Sequence, residues 1–376
     1  MFNIHDEKRD RFMLDKSFSR KGYDWWWHSF TGINSKTGEE KSFFIEFFVI
    51  NPKYGKKYPV FGQTQGKRND KPSYVMIKAG TWGEDHAELN RFYGVKKVII
   101  KPKTPFIIKA GNCFLSEKET CGIIKISKEG AARHPEWMSD AGEMEWKLNI
   151  EKQIAYNVGY GAGGIMRNLQ AFDMYWHAEG MKTQYSGWVK YNGTVYNVVP
   201  NKCYGYADKN WGRDFTSPWL WLSSDKLYSR VRNQKLENSV FDIGGGRPRV
   251  FGIALDGKLL GGLFLEGKEY DYNFSKIWTG ARQRFSSWET EDKVYWKVWL
   301  ENRKSLTQIN VICPKKEMIQ VNYVAPDGSK KHDRLWNGGT GKALIKVYEK
   351  KREGLQLVDL IEAENVGCEY GEYHGS

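Results

Sequence analysis

The stretch Glu143-Met-Glu-Trp-Lys-Leu-Asn-Ile-Glu151 alternates polar and apolar side chains without a break. Because successive side chains of a strand point to opposite faces, this pattern predicts a β-strand with one solvated face. The runs Lys41–Ile50 and Lys293–Leu300 are mostly apolar and also predict strands, the first of them buried. Glu46 lies in the middle of that buried run, where an unpaired charge would be costly. We therefore expect Glu46 to form either an internal salt bridge with Lys or Arg or a polar anchor in a cavity.

Turn-forming dipeptides follow several apolar runs: Asn192-Gly193, Asp256-Gly257 and Asp327-Gly328. They supply the positive-φ residues that tight hairpins need. We expect Asp256-Gly257 to join a strand at 250–255 to a strand that begins at Lys258. Amphipathic helical patterns are scarce, and the segment 85–92 is expected to form one short turn of helix. Many short strands separated by such turns predict an all-β protein built from barrels or sandwiches.

Aromatic residues are abundant, with 16 Trp, 21 Tyr and 19 Phe among 376 residues. They favour strands and offer flat surfaces to ligands, although most of them are expected to fill β cores. The net charge is +13, but the Lys and Arg residues are spread along the chain without a zinc-finger or RNP-type motif. We therefore predict a solvated basic surface and no nucleic-acid partner. Peripheral contact with an anionic membrane surface is a weaker alternative.

The cysteines and the N-terminal residues bear on the cellular compartment. The five cysteines are widely spaced and contain no C-x-x-C pair, so neither a disulfide framework nor a zinc site is predicted. The N-terminal residues lack the apolar region of a signal peptide, and no stretch approaches the ~18 consecutive apolar residues of a membrane span. We expect a cytoplasmic protein.

Two short motifs resemble parts of cofactor sites. Gly159–Gly164 satisfies G-x-G-x-x-G, but its flanks resemble strand and loop rather than a βαβ unit, so a flexible turn is predicted instead of a dinucleotide site. His177-Ala178-Glu179 matches the H-x-E of zinc deaminases without their P-C-x-x-C. We therefore expect no metal, no NAD and no other cofactor.

The segment 204–221 combines an acid, an amide and three tryptophans in a short stretch. Tyr206-Ala-Asp-Lys-Asn-Trp-Gly212, followed by Trp219-Leu-Trp221, closely resembles the signature of tocopherol cyclases. Further blocks resemble the family in the same order, so that the resemblance covers most of the chain: Tyr23–Pro52, Tyr74–Ala79 with Gly83–Asp85, Gly244–Arg247 and Gly338–Gly371. Family members usually carry an acidic-Gly-Trp-Tyr motif near the start, and here Trp25-Trp-Trp-His28 stands in its place. That departure favours a changed substrate or a lost activity.

The resemblance implies two lipocalin-like antiparallel β-barrel or sandwich domains. We divide them into residues 1–185 and 186–376, the second carrying the signature. Tocopherol cyclases and the related carotenoid hydratases and Diels–Alder cyclases act on long polyene or prenyl-like substrates without redox cofactors. The resemblance therefore implies a large, prenyl- or polyene-like hydrophobic small molecule as the substrate or ligand.

Cyclising or hydrating an alkene requires a group that places a proton on carbon. A carboxylic acid can do so near neutral pH when burial raises its pKa. By its position in the signature, Asp208 is the predicted proton donor, and Tyr206 and His177 are further catalytic candidates. A turn-capping role together with Asn210 is the alternative for Asp208, and a structural role is the alternative for His177.

The carbocation formed by protonation can be stabilised by aromatic faces, each worth about 0.5–2 kcal/mol. The candidate substrate-binding residues are Trp27, Glu46, Trp176, Asn210, Trp211, Trp219 and Trp221. Core packing is the alternative for the tryptophans. Two functions stay open: a cofactor-independent cyclase or hydratase, and a non-catalytic lipocalin-like binding protein for a hydrophobic molecule.

Overall fold

The computed structural model describes residues 7–62, 71–103, 105–156, 169, 171–328 and 331–372. Within these ranges the protein is all-β, as predicted, and its two α-helices, α1 (Glu7–Asp10) and α2 (Lys128–Arg133), are short. Short 3-10 turns occur at Lys16–Ser19, Pro52–Tyr54, Val95–Lys97, Pro135–Trp137, Ile277–Thr279 and Lys315–Glu317. None of the described helices has the length and apolar character needed to cross a bilayer. The predicted glycine turn Gly159–Gly164 lies outside the described residues.

An antiparallel sheet forms the first half of the molecule. Its strands are β1 (Tyr23–Asn34), β2 (Glu40–Ile50), β3 (Tyr74–Thr81), β4 (Ala87–Tyr93), β5 (Ile99–Lys101), β6 (Ile107–Ala110), β7 (Cys113–Ser116), β8 (Glu119–Ile126), β9 (Gly142–Tyr156), β10 (Met174–Tyr191), β11 (Thr194–Val198) and β12 (Gly205–Gly212). They are ordered β4-β3-β2-β1-β11-β10-β9-β8-β7-β6-β5, and β12 pairs with both β1 and β10. Because β4 also contacts β8 and β9, the sheet curls into a barrel.

A second antiparallel sheet follows in the chain, together with a separate small hairpin. The strands are β13 (Trp219–Ser224), β14 (Lys226–Ser229), β15 (Gln234–Leu236), β16 (Ser239–Gly246), β17 (Arg249–Val250), β18 (Ile253–Ala254), β19 (Lys258–Leu265), β20 (Lys268–Asp271), β21 (Arg282–Glu289), β22 (Lys293–Glu301), β23 (Ser305–Pro314), β24 (Ile319–Val324), β25 (Lys331–Lys351) and β26 (Gly354–Gly371). The central order is β20-β19-β16-β13-β26-β25-β23-β22-β21, with β14, β15 and β24 on side branches. β17 and β18 pair only with each other among the described strands.

The change from the first sheet to the second lies between Gly212 and Trp219. Residue 185, the end of the first predicted domain, lies inside β10, which continues without a turn to Tyr191, and the division into two domains stays a prediction. The Asn192-Gly193 hairpin then keeps β11 in the same sheet. As a consequence, the signature strand β12 belongs to the first sheet and not to the second.

Local predictions were confirmed where the strand pattern was long. Glu143–Glu151 and Lys41–Ile50 lie within β9 and β2, and Lys293–Leu300 lies within β22. The predicted helical turn at 85–92 is wrong, because the backbone of this segment pairs with β3 and forms β4.

The predicted strand at 250–255 is also wrong. Phe251 and Gly252 have φ angles of 48° and 81°, so the chain reverses there and forms the β17–β18 hairpin. Gly252 has no side chain to oppose this conformation, whereas the sequence pattern pointed to the next glycine turn, Asp256-Gly257.

Both faces of the central strands are buried, which creates three apolar cores. On β1, Trp26 points into the barrel and Trp27 points toward the second sheet. On β13, Leu220 points away from the barrel and Trp221 points toward it. We call the layer that contains Trp27 and Trp221 the interlayer core, and the candidate site lies there.

Candidate functional site

A row of polar side chains crosses the barrel face that borders the interlayer core. Asp208 on β12 lies opposite Trp27 on β1, which lies opposite Glu46 on β2, which lies opposite Lys78 on β3. Residues in register across antiparallel strands point to the same face, so these four side chains are neighbours. The structure thus brings together three residues predicted from the sequence, Asp208, Trp27 and Glu46.

Asp208 is linked by hydrogen bonds to a second acid on the opposite sheet. The indole Nε1 of Trp176 donates to Asp208 Oδ2 at 2.7 Å, and the hydroxyl of Tyr206 donates to the same oxygen at 3.1 Å. The indole Nε1 of Trp221 lies 3.1 Å from both the Tyr206 hydroxyl and Asp242 Oδ1. Tyr206 and Trp221 therefore connect the two carboxyl groups across the interlayer core.

The environment of Asp208 and Asp242 favours their neutral forms. Burial raises the pKa of Asp208 to about 7, although the hydrogen bonds from Trp176 and Tyr206 oppose the increase. Burial and the neighbouring Asp208 raise the pKa of Asp242 well above its usual range. Asp208 Oδ1 and Asp242 Oδ2 have no hydrogen-bond partner among the described residues. Each acid thus keeps one buried oxygen that could hold a proton and face a bound molecule.

Glu46 is joined to both sheets. Its Oε2 atom accepts a hydrogen bond from Tyr323 of β24 at 2.9 Å and lies 3.5 Å from the Lys78 ammonium. The predicted internal salt bridge is therefore present, and Tyr323 makes Glu46 a polar contact between the sheets as well. Burial raises the pKa of Glu46 to about 7 despite the Lys78 charge.

Glu369 on β26 is the counterpart of Glu46 in the second sheet. It accepts hydrogen bonds from Trp219 Nε1 at 2.6 Å and from Asn337 Nδ2 at 3.2 Å. Burial raises the pKa of Glu369 to about 7, and these two hydrogen bonds oppose the increase. Three buried carboxyl groups, Glu46, Asp208 and Asp242, and the half-buried Glu369 therefore border the interlayer core, and all four have raised pKa values.

An apolar cleft opens beside these acids and has about 550 Å³ of free space, part of it open to solvent. Its walls include Phe172, Met174, Trp176, Trp219, Gly244, Pro248, Leu260 and Phe274. A smaller pocket of about 270 Å³ adjoins the cleft at Met174, Thr216 and Trp219 and is lined by Trp25, Phe215, Tyr323, Leu335 and Glu369 as well. The cleft and this inner pocket therefore share a wall, and Glu369 lines the inner pocket.

Two tryptophans separate the cleft from the acids. The rings of Trp176 and Trp219 meet edge to face at 6.2 Å and line the cleft, while their N–H groups donate to Asp208 and Glu369. Gly244 makes room for this arrangement, because a Cβ atom there would lie 2.8 Å from the Trp176 ring.

Trp211 was predicted to bind substrate together with Trp219 and Trp221, but its side chain does not face the interlayer core. It stacks on Tyr175 at 5.4 Å inside the barrel core. The reason is the alternation of β12, which directs Asp208 and Trp211 to opposite faces. Asn210 shares the face of Asp208, but its side-chain oxygen accepts from Tyr23 at 2.7 Å. Asp208 lies within β12, so it does not cap a turn.

His177 likewise lies on the barrel side of β10, away from Asp208. Its Nδ1 atom is 3.0 Å from Asp10, and burial lowers the pKa of the imidazole. Asp10, His177 and Glu179 could together contact a metal ion, since their ligand atoms lie within 4.8 Å of one another. The Lys152 ammonium already lies 3.3 Å from Asp10 and 3.0 Å from Glu179, so a protein cation balances these carboxylates. This geometry fits a structural role for His177.

Several residues of the site were not predicted from the sequence: Lys78, Asp242, Tyr323, Asn337 and Glu369. One pattern could have indicated two of them. Asp242 and Lys78 are single charged residues inside apolar strands, as Glu46 is. Such residues need a buried partner, and Lys78 supplies one to Glu46.

Comparison with known proteins supports the resemblance seen in the sequence. The family model described as tocopherol cyclase-like matches residues 100–372. The crystal structure of CghA with Sch210972 is similar at 9% identity and a TM-score of 0.44, covering 95% of this chain and 90% of that one. The crystal structure of a protein assigned as an AttH from Nitrosomonas europaea is similar at 12% identity and a TM-score of 0.41, covering 99% and 97%. The comparison with curated proteins gives no match.

Both TM-scores are below 0.5, so the family assignment rests on the match of the sequence to the family model. The matched residues make up most of the chain and include Asp208, Asp242 and Glu369. The chain therefore belongs to the tocopherol cyclase-like family.

Proposed function

We propose that this protein is a cofactor-independent cyclase or hydratase that protonates an alkene of a large, prenyl-like apolar substrate. The observation that carries the proposal is the buried carboxyl group of Asp208, which accepts a hydrogen bond from Trp176 in the wall of an apolar cleft. Tyr206 and Trp221 connect it to a second buried acid, Asp242. Neither the cleft alone nor a buried acid alone would suggest this reaction.

The proposed first step is a proton transfer from Asp208 Oδ1 to one carbon of the double bond, for which the rings of Trp176 and Trp219 must part so that the substrate reaches the acid. The π electrons form the new C–H bond, and the other carbon becomes a cation. The carboxylate left on Asp208 is stabilised by the hydrogen bonds from Trp176 and Tyr206. Asp242 lies behind Tyr206 and can hold a second proton close to that carboxylate.

The second step consumes the cation. In a cyclisation, a hydroxyl group of the substrate bonds to the cationic carbon and releases its proton to the Asp208 carboxylate. In a hydration, water takes the place of that hydroxyl group, and the proton balance is the same. The rings of Trp176 and Trp219 line the cleft, and aromatic faces stabilise cations by about 0.5–2 kcal/mol each without capturing them.

Deuterium incorporation tests the proposal directly. The purified protein would be incubated in D₂O with two probes, a geranylgeranyl-substituted hydroquinone and an acyclic carotenoid. The expected product carries one deuterium on carbon. Asp208→Asn keeps the shape and most hydrogen bonds but removes the acidic proton, so turnover should fall about 10²–10⁴-fold. Probe binding, measured by quenching of tryptophan fluorescence, should stay within a few fold.

A non-catalytic lipocalin-like binding protein is the alternative function. It is favoured by Trp25, which stands in the place of the usual family motif and lines the inner pocket together with Glu369. Tight binding of either probe without any deuterated product would support the alternative and contradict the catalytic proposal.

A further inference from the structure

Three large apolar side chains are exposed at the mouth of the cleft. Phe251 is 62% exposed and Ile253 is 69% exposed, and both lie on the β17–β18 hairpin. Trp278 is 65% exposed and lies in the 3-10 turn Ile277–Thr279. We call these three residues the mouth tips. Large apolar groups grouped at the entrance of an apolar cleft indicate a surface that contacts something other than water.

The mouth tips are attached to the walls of the cleft. The backbone N–H of Phe251 donates to Ala171 at 2.8 Å, and the neighbouring Val250 forms a β-bridge with Phe172, a cleft residue. On the other side, Phe274 and Ser275 line the cleft just before the turn that carries Trp278. The hairpin and the turn therefore border the same opening.

The surroundings of the mouth tips are basic. The segments 171–173, 247–258 and 274–279 contain four cationic and two acidic side chains, a net charge of +2. These residues are Arg247, Arg249, Lys258, Lys276, Asp173 and Asp256. Arg249 lies 3.9 Å from Asp173, and Arg247 pairs with Asp256, so these cations and acids partly neutralise each other. Lys276 is buried and pairs with Asp271. The remaining cation, Lys258, leaves a net positive charge at the cleft mouth, which is complementary to an anionic surface.

We propose that the cleft mouth docks on an anionic lipid bilayer, with Phe251, Ile253 and Trp278 inserted among the lipids. The flanking Arg247, Arg249 and Lys258 would lie at the headgroups. Aromatic and aliphatic residues bordered by Lys and Arg are the composition of surfaces that bind at a membrane interface. Docking in this orientation opens the cleft toward the lipid, so an apolar molecule can enter without crossing water. That loading route rests on the proposed function, whereas the docking does not.

Vesicle co-sedimentation of the full-length protein tests the docking. Vesicles of equimolar phosphatidylcholine and phosphatidylserine should bind the wild type, and pure phosphatidylcholine vesicles should bind it more weakly. The double variant Phe251→Ser/Ile253→Ser and the single variant Trp278→Ser should each weaken binding. We expect at least about a tenfold loss for the double variant, because it removes two large apolar side chains from the lipid. Added salt should weaken the wild-type interaction.

A matched control is available in the first sheet, at the end of β10 that lies away from the cleft. Val195 is 36% exposed and pairs with Lys190, which lies 16 residues along β10 from the cleft residue Met174. Val195→Ser should leave vesicle binding unchanged. The melting temperatures of all variants should match the wild type, because the replaced side chains are exposed.

Three results would overturn the docking proposal. They are a wild type that does not bind anionic vesicles, a mouth-tip variant that binds as well as the control variant, and a mouth-tip variant that loses self-association instead of lipid binding.

The loading route is tested separately by delivering the hydroquinone probe from cyclodextrin or from vesicles. The mouth-tip variants should bind the probe normally from cyclodextrin and slowly from vesicles, and equal rates from both sources would contradict loading through the membrane.

Discussion

At the scale of single residues, the arrangement of Asp208 and Asp242 decides the chemistry. Burial raises both pKa values, and Asp208 adds to the increase at Asp242 because the two negative charges would repel each other. Coupled acids of this kind share protons, so near neutral pH the pair retains a proton that an isolated surface carboxyl group would have lost. A carboxyl group that donates a proton to carbon must carry that proton at the working pH.

Trp176→Phe should change the pH dependence of turnover. The indole N–H of Trp176 donates to Asp208 and so opposes the increase of its pKa by burial. Phenylalanine keeps an aromatic ring beside the cleft but has no donor, so the pKa of Asp208 should rise further. If protonated Asp208 is the active form, the alkaline limb of kcat/KM should move to higher pH in the variant.

Trp27→Phe is the matched control for this measurement. Trp27 neighbours Asp208 across β1 and β12, but its indole nitrogen has no hydrogen-bond partner among the described residues. Its replacement should leave the alkaline limb in place. Equal shifts in both variants would mean that the Trp176 hydrogen bond does not set the pKa of Asp208.

At the scale of elements, the two faces of β12 contact different cores. Tyr206 and Asp208 face the interlayer core, whereas Lys209 and Trp211 face the barrel core. Lys209 pairs there with buried Asp24 and lies 5.5 Å from the Trp211 ring. One strand thus carries the proposed acid on one side and stabilises the barrel on the other.

Trp211→Leu should therefore lower the stability of the protein, whereas Trp219→Leu should lower its affinity for the probe. Trp211→Leu removes packing from the barrel core and should cost about 2–4 kcal/mol of unfolding free energy in urea titrations, with kcat of the folded protein unchanged. Trp219→Leu removes a ring from the cleft wall and the donor to Glu369, so probe affinity should fall at least about tenfold. A Trp211→Leu protein that is stable but inactive would contradict the assignment of β12 faces.

At the scale of the whole molecule, the interlayer core combines apolar packing with polar contacts between the sheets. Tyr323 donates to Glu46, and Trp82 Nε1 donates to Asn337 at 2.9 Å. The acids buried in this layer must stay protonated or lose stability when they ionise. The junction of the two sheets is therefore the part of the molecule most sensitive to alkaline pH.

The melting temperature should show this sensitivity when wild type and Asp208→Asn are compared. The pKa of Asp208 is about 7 in the folded protein and near the ordinary value of 3.8 in the unfolded chain. Between these values the folded state binds the extra proton, so the contribution of Asp208 to stability falls as pH rises through about 7. The amide introduced by Asp208→Asn does not ionise, so the melting temperature of the variant relative to wild type should increase by a few degrees from pH 5 to pH 8.

The comparison between variant and wild type removes the opposing effect of buried histidines. Burial lowers the pKa of His28 to about 3, so its contribution to the stability of the folded protein increases as pH rises toward the ordinary histidine pKa of 6.5. A difference between Asp208→Asn and wild type that stays constant from pH 5 to pH 8 would show that Asp208 is not protonated in the folded protein.

The sequence by itself determined the fold class, most of the long strands and the position of Asp208 in a family signature. Those features depend on local patterns, since alternation along Glu143–Glu151 and the turn at Asn192-Gly193 are visible without any partner strand. Glu46 could also be recognised as a buried acid that needs a partner, because its own strand is apolar.

Only the tertiary structure decided which acids meet and which face of each strand they share. All residues of β12 are buried, so the alternation of polar and apolar residues that separates inner from outer faces carries no information there. Asp242 and Glu369 join the site through contacts between two sheets that are distant in the chain. Such contacts depend on how the barrel packs against the second sheet, and that packing is a property of the folded chain and not of any local segment.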